Sequence, residues 1–580
     1  MNRDRPKLRV GLMLDSYAIP AWYLRMLERI QASDYATVEL VILNSLGSGP
    51  KSSLSQRILR NLPIFLFHAH RVFETVVSKP TPNAFTERDA SEILATVPAL
   101  TVTPKKTKFS DRFEDQDIEK IRSYNLDVII RCGFRILRGK VLQTPRYGVW
   151  SYHHGDNLVN RGGPAGFWEV MEGHPTTGSV LQILSEDLDN GLVLYHSLSA
   201  TDPVLVNRNR NTYYWKTLSF IPRKLKELYD LGGEEFMRRV RAQNNQISFY
   251  SHRLYTQQPR NSELVVPLAR NLLRLVFRQV YNRCIVDQWQ LLFDLRDGLS
   301  TSLWRFRKLM PPRDRSWADP HVLSKDGKYY IFIEEFVFRK GKGHIALLVM
   351  DEQGNLQLQG KVLERPYHLS YPFVFEWGGN YYMIPESAEN RAIELYKCIV
   401  FPHTWEFCRT LMSNVKAVDA TLLYHQQTWW LFTNIEENPG SSSWDELFLF
   451  SADNPLSESW TPHPCNPIIS DVRRARPAGA IFEHHGILYR PSQDCSKCYG
   501  KAVRINQIIK LNEREYEERE VTTIEPLWDK DISRIHTLNH VGRLTVADGV
   551  QWRSRFITWL VACFRVKNDN LRLSVVSQSY

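Results

Sequence analysis

A chain of 580 residues is longer than one hydrophobic core normally organises, so two or three domains are expected. Its 43% hydrophobic and 24% charged residues are the composition of a folded soluble protein with real cores, which sets disorder aside. The net charge of +11 favours anionic partners such as phosphates, polyglutamate tails, nucleic acid or acidic lipid heads, but no long block of Lys and Arg concentrates it, and the plainer reading is a dispersed basic surface.

In chain order, "MNRDRPKLRVGLMLD" enters a strand-like run without the apolar core of a signal peptide. "RVGLML" reads as a buried parallel strand, and Tyr23, Met26, Leu27 and Ile30 follow at helical spacing. "VELVILN" is a second strand, and "FEDQDIEKIRSYNLDVIIRCG" gives a helix and then a strand over Leu126 to Ile130. Strands alternating with helices predict an α/β domain with a Rossmann-type parallel sheet, covered on both faces, whose functional groups sit at the carboxyl ends of its strands.

Residues 206–305 read as a basic helical connector: "TYYWKTLSFIPRKLKELYDL" and "LARNLLRLVFRQVYNR" carry apolar residues three to four apart with Arg and Lys between them. The second of these has two readings, a helix packed between domains or one lying on a membrane surface as a peripheral contact. No segment is long enough to span a bilayer; "FITWLVACF" from Phe556 to Phe564 is far too short. From about Trp317 a repeat appears: "ADPHVLSKDGKYYIFIEE", "SYPFVFEWGGNYYMIPES", "VDATLLYHQQTWWLFTN", "ARPAGAIFEHHGILYRPSQD" and, more faintly, "IHTLNHVGRLTVADG". A period of roughly 50 residues predicts an all-β five-bladed propeller over residues 306–580. The eight scattered Cys argue against a disulfide framework and agree with a reducing compartment; with no leader and no span, cytoplasmic residence is expected. Cys495 and Cys498 form one CxxC without a second pair at zinc-ribbon spacing, so no metal site is predicted.

Transfer of an acyl group to an amine needs a base, a donor for the developing oxyanion and a group that orients the base. His153 follows the strand ending at Tyr152, and Asp189 lies in the loop after "GSVLQIL", which makes them a candidate dyad; a histidine satisfied by neighbouring backbone is the plainer alternative. The ordered elements Gly148-Val149, His153, Arg161-Gly162, Gly173, Thr177-Gly178 and Leu188-Asp189-Asn190-Gly191 resemble the signature of the folate-dependent formyltransferase family, the resemblance extending over residues 9–202. It implies a formyltransferase-like domain over residues 1–205 with 10-formyltetrahydrofolate as cofactor, the pterin lying near "RILRGKVL" and the Asp189 turn. It also implies His153 and Asp189 as catalytic, and Ile136, Leu137, Arg161, Gly162, Asp187 and Asn190 as cofactor-binding. Ser151 stands where the family has the Asn that holds the formyl oxygen; Asn157, Asn160 and His154 are candidate substitutes.

The repeats from Trp317 to Ile524 resemble the module at the N-terminus of plant glucosamine inositolphosphorylceramide transferases, itself similar to five-bladed glycosidase propellers. Their inner strands are expected to bring Asp319, Tyr371, Asp419 and Arg476 to a channel, with Glu335 and Glu386 one strand further on and Trp317, Trp429 and Trp430 available to stack on sugars. The alternative is that these charges pair with each other and the aromatics fill the core. The function expected is formylation of an amine on an amino sugar or glycoconjugate held by the propeller. The alternative is a glycan-binding or glycosidase-like propeller carrying a non-catalytic formyltransferase fold. Nucleic acid is not expected as a partner, because a propeller occupies the place of the small barrel that accompanies tRNA-specific members of the formyltransferase family.

Overall fold

The computed structural model describes residues 5–45, 62–247, 249–252, 258–555 and 575–576, so Phe556–Phe564 lies outside the described residues. It forms two compact units, Met1–Arg274 with Asn438–Ser442, and Leu275–Glu437 with Ser443–Tyr580.

The first unit is built on seven strands: β1 (Leu8–Leu14), β2 (Ala36–Asn44), β3 (Ala99–Val102), β4 (Val128–Arg131), β5 (Val149–His153), β6 (Thr176–Ile183) and β7 (Leu192–Ala200). Their order is β7-β6-β5-β4-β1-β2-β3, parallel from β3 through β5, with β6 and β7 added antiparallel. The sheet is Rossmann-like because its central strands are apolar on both faces. Val10, Leu12, Ile130 and Trp150 enter one core and Met13, Ile42, Ile129 and Val149 the other. Helix α1 (Ala21–Gln31) closes the first face with Trp22, Met26, Leu27 and Ile30, the 3.6-residue stripe read from the sequence. Helix α2 (Phe65–Val77) lies outside both main cores, and α3 (Asp115–Arg122) closes the second face with Ile118 and Ile121.

The remaining helices are α4 (Phe167–Glu172), α5 (Val206–Thr217), α6 (Phe220–Leu231), α7 (Gly233–Gln243) and α8 (Asn261–Cys284). Residues 206–305 therefore do not form a separate connector. Phe220, Leu225, Leu228, Phe236 and Val240 belong to the same core as β1, and the Tyr152 hydroxyl donates to the Thr217 carbonyl at 2.8 Å. The end of that stretch is a strand, Ile285–Leu295, of the second unit.

Among the described residues, the second unit forms five antiparallel sheets. Four follow the repeats in order, beginning at Arg315, Ser370, Ala417 and Phe482. The fifth joins the two ends of the unit: Ile285–Leu295 pairs along its whole length with Leu544–Ser554. The first strands of three repeats share a β-bulge, between Ala318 and His321, Ser370 and Phe373, and Val418 and Thr421. The residue inside each bulge is left-handed, with φ of 51° at Asp319, 42° at Tyr371 and 52° at Asp419. Such a backbone costs a non-glycine residue about 1–2 kcal/mol, so its recurrence at one repeat position means that each of these side chains is held where an ordinary strand would not put it.

Because α6 is part of the first core, Leu225→Ala is expected to destabilise that unit by about 2–5 kcal/mol. Hydrogen exchange checks this: amides of Val10–Leu14 should lose protection, while those of Ile331–Ile333 in the second unit keep theirs.

Candidate active site and a second polar cavity

In the first unit the loop after β6 folds back over the sheet, and two close approaches make this fold-back. A Cβ on Gly191 would lie 1.9 Å from the Ile183 carbonyl oxygen, and Asp189 is left-handed with φ of 51°. The Asp189 carboxylate thereby reaches β5: Oδ2 lies 3.2 Å from His153 Nδ1 and accepts from the Gly162 amide at 2.9 Å, while Oδ1 accepts from Gln182 Nε2 at 3.3 Å. His153, the last residue of β5, is buried, and its Nε2 donates to the Asn160 carbonyl at 2.7 Å. Both alternatives read from the sequence are thus present at once, since one ring nitrogen faces the carboxylate and the other a backbone carbonyl.

The dyad borders a cavity of about 540 Å³. Ile136, Leu137, Gly162 and Asp187 line it, as does Asp189. Arg161 and Asn190 do not: their side chains bond each other at 3.0 Å, and Arg161 Nε is turned to the Asn157 carbonyl. Ser151 is buried, and its Oγ accepts from Arg131 Nη1 at 2.8 Å. Sequence reasoning missed Arg131, which does line the cavity. No local signal pointed to it, because Arg131 meets Ser151 only through the parallel register of β4 and β5. Of the candidate substitutes, Asn160 is engaged through its carbonyl, and Asn157 is buried away from the lining. His154 does line the cavity, stacked on Tyr214 with ring centroids 3.7 Å apart; burial lowers its pKa well below the usual histidine range and keeps it neutral.

Left-handed Asp319 and Asp419 carry charge into the interior of the second unit. Asp319 accepts from Thr537 Oγ1 at 2.9 Å and lies 3.2 Å from His536 Nε2; the other ring nitrogen of His536 is 2.8 Å from Asp548. Burial opposes charge on both partners, but the ion pairs outweigh it: Asp319 is lowered to about 2 and His536, between two carboxylates, is raised to about 10. The ligand atoms of these three residues lie close enough together to converge on a metal ion, and in this structure they pair as a buried ion triad. Asp419 takes a two-pronged contact from Arg476, which also lies 3.3 Å from Glu386. Burial, reinforced by Asp419, raises Glu386 well above the usual carboxyl range.

A cavity of about 1270 Å³ lies against this network, lined by Asp319, Glu334, Glu386 and Arg476 among others, with Trp289, Trp444 and Tyr499 among its aromatics. Four expectations are corrected here. Glu335 is not at the cavity; it accepts from Trp317 Nε1 at 2.9 Å and pairs with Arg315 and His344, while its strand neighbour Glu334 faces the cavity. The alternation of a strand decides which of two adjacent glutamates points inward. Tyr371 does not line the cavity; its hydroxyl accepts from the Gly479 amide at 2.9 Å and bonds Thr421. Asp419 is sealed behind Arg476. Trp317, Trp429 and Trp430 are buried core residues unavailable to a sugar.

Residues 313–534 match the family model described as glucosamine inositolphosphorylceramide transferase 1, N-terminal. The chain carries a module similar to that one. Over 207 residues, 35% of its length, it is 34% identical to the glucosamine inositolphosphorylceramide transferase 1 of Arabidopsis thaliana, and it spans 27% of that relative's length. A separate stretch of 83 residues, 14% of the chain and 24% of the relative, is 36% identical to a methionyl-tRNA formyltransferase of Prochlorococcus marinus. Among solved structures, a family 117 glycoside hydrolase from Zobellia galactanivorans covers 46% of the chain and 90% of its own, at 12% identity and a TM-score of 0.30, a likeness too slight to build on. The curated plant matches are to proteins named as transferases, of whose length the chain spans 27%. They also overturn cytoplasmic residence, because these relatives are named for an inositolphosphorylceramide, a membrane lipid; among the described residues no helix is long and apolar enough to cross a membrane.

The ion triad makes the second unit pH-dependent in a defined window. The His536 contribution is complete below the ordinary histidine value of 6.5 and is lost as pH rises towards about 10. That of Asp319 is complete above 3.8 and is lost as pH falls towards about 2. His536→Gln should therefore flatten the alkaline limb of the stability profile, measured as the unfolding midpoint of the second unit in urea at a series of pH values.

Proposed function

We propose that the first unit transfers a formyl group from 10-formyltetrahydrofolate to an amine on a sugar-bearing molecule, and that the second unit is a five-bladed propeller that holds the sugar. The observation that carries the first half is the 3.2 Å contact between His153 and Asp189, residues 36 positions apart, at the rim of a cavity that also takes in Ile136, Leu137, Gly162 and Asp187. The donor set suits a reduced pterin. Leu137, Leu184 and Leu188 offer apolar contact for a flat ring, and the carboxylate of Asp187 accepts from ring N–H groups.

When bound, the folate supplies the carbon to be transferred. The chain supplies orientation and charge. Asp189 fixes the imidazole through Nδ1, which leaves Nε2 as the atom that holds or moves a proton. In the resting arrangement Nε2 donates to the Asn160 carbonyl, so that nitrogen has both to leave the carbonyl and to give up its proton to solvent before it takes the proton lost by the attacking amine. Arg131 takes over the part of the absent family Asn. It gives Nε to the Arg135 carbonyl, one Nη1 proton to Ser151 and one Nη2 proton to the Phe134 carbonyl, and two of its five N–H groups remain to meet a carbonyl oxygen.

The five sheets, joined end to end by the pairing of Ile285–Leu295 with Leu544–Ser554, support the propeller. Burial raises Glu334 as well as Glu386, which favours the protonated form of each, a donor and an acceptor as sugar hydroxyls are. Beside them Trp444 and Trp289 offer ring faces. A second reading, a glycan-binding module with a non-catalytic first unit, is favoured by the engagement of Nε2 and by the loss of the family Asn at Ser151.

Titration calorimetry and single-turnover assays distinguish the two. With 5-formyltetrahydrofolate as unreactive analogue, saturable binding should weaken in Asp189→Asn. With the reactive donor and an amino sugar, His153→Ala should lower the rate by roughly 10²- to 10⁴-fold and Arg131→Gln by roughly 10²- to 10³-fold, both with folate binding retained. Absence of folate binding by the full chain leaves the second reading. Separately, amino-sugar oligosaccharides should bind the second unit, and Trp444→Ala should weaken them about tenfold, read by the same calorimetry.

A further inference from the structure

Helix α2 and the first half of α8 meet at one end. The Asn261 side chain accepts from the Leu66 amide at 2.9 Å and donates to the Leu62 carbonyl at 2.7 Å. Phe67, Phe167 and Leu264 form a small core beneath them. Their outer faces are apolar as well. Phe65, Val72 and Val76 recur at helical spacing on α2, and Val266, Leu272 and Leu273 on α8; Phe65 is 61% and Leu273 70% exposed. Isolated apolar residues on a surface are ordinary, but two such stripes flanking one helix contact form a patch of the kind that marks an interaction site.

The charge around the patch selects the partner. Arg71 and Lys79 beside the α2 stripe, and Arg270 on α8, are exposed and pair with no carboxylate among the described residues. The acidic residue of α2, Glu74, is turned inward, accepting from the Val206 and Asn207 amides at 2.9 Å each. Between Leu264 and Arg274 the chain has no acidic residue. A second copy docked on this face about a two-fold axis would bring cation against cation. A surface with an apolar floor and anionic groups at its edge satisfies both features.

We propose that the α2–α8 face lies on a bilayer containing anionic lipid, with its apolar stripes at the acyl boundary and Arg71, Lys79 and Arg270 at the headgroups. Neither helix crosses the membrane; both lie in its plane. The proposal is independent of formyl transfer and of sugar binding.

Co-sedimentation of the full chain with vesicles tests it. Vesicles of phosphatidylcholine mixed with phosphatidylserine should capture the protein in a salt-sensitive way, and vesicles of phosphatidylcholine alone only weakly. Phe65→Ser with Leu273→Ser should abolish capture, and Arg71→Glu with Arg270→Glu should weaken it roughly thirtyfold or more. The charge-reversal pair touches no packed side chain, so it remains informative if the serine pair perturbs the fold. Failure of the mixed vesicles to bind at low salt, capture unchanged in both variants, or a concentration-dependent dimer in light scattering that the serine pair dissociates would each overturn it.

Discussion

A charge taken out of water must meet a partner, and both candidate sites are consequences of that constraint. An unpaired ionised group in a protein interior costs several kcal/mol, comparable to much of the stability of a whole domain. In the first unit the Asp189 carboxylate is met by an imidazole, a backbone amide and a side-chain amide. In the second, His536 is held between the carboxylates of Asp319 and Asp548, and Arg476 pairs with Asp419. Breaking any one pair leaves the other member stranded, so these contacts specify geometry more than they add stability.

The two networks differ in what they leave over. Around Asp319 most polar atoms are spent on their neighbours, and of the charged groups that face the cavity Glu334 and Glu386 are the carboxyls whose ionisation burial disfavours most. That suits recognition of hydroxyl-rich ligands better than chemistry needing an ionised carboxylate. Around His153 the unspent groups are the two free N–H bonds of Arg131 and a neutral His154 against the cavity. An oxyanion donor on a guanidinium is also stronger than one on an amide, because it carries charge.

Backbone strain is distributed in the same way. The left-handed residues Asp319, Tyr371 and Asp419 occupy the same bulge in three successive repeats, and left-handed Asp189 heads the turn that delivers the first unit's carboxylate. Only surroundings that over-determine such conformations maintain them. For the three aspartates the surroundings are their charge partners, and for Tyr371 they are the Gly479 amide and the Thr421 hydroxyl.

Much of this was legible in the amino-acid order. The alternation of strand and helix specified the parallel sheet, the repeat of roughly 50 residues specified successive antiparallel sheets, and the ordered glycines from Gly148 to Gly191 pointed to His153 and Asp189. These are local signals of period and of backbone close approach, and they survive without knowledge of distant neighbours. Three decisions belonged to tertiary structure alone. Whether residues 206–243 stood apart depended on a core assembled from strands some two hundred positions earlier. Which of Glu334 and Glu335 faces the cavity depended on which face of their regularly alternating strand the packed sheets turn to the interior. That Arg131 reaches the Ser151 hydroxyl depended on a parallel register between segments that share no local pattern. In each case the deciding contact is long-range, and its energy comes from burial and charge pairing that no single segment contains.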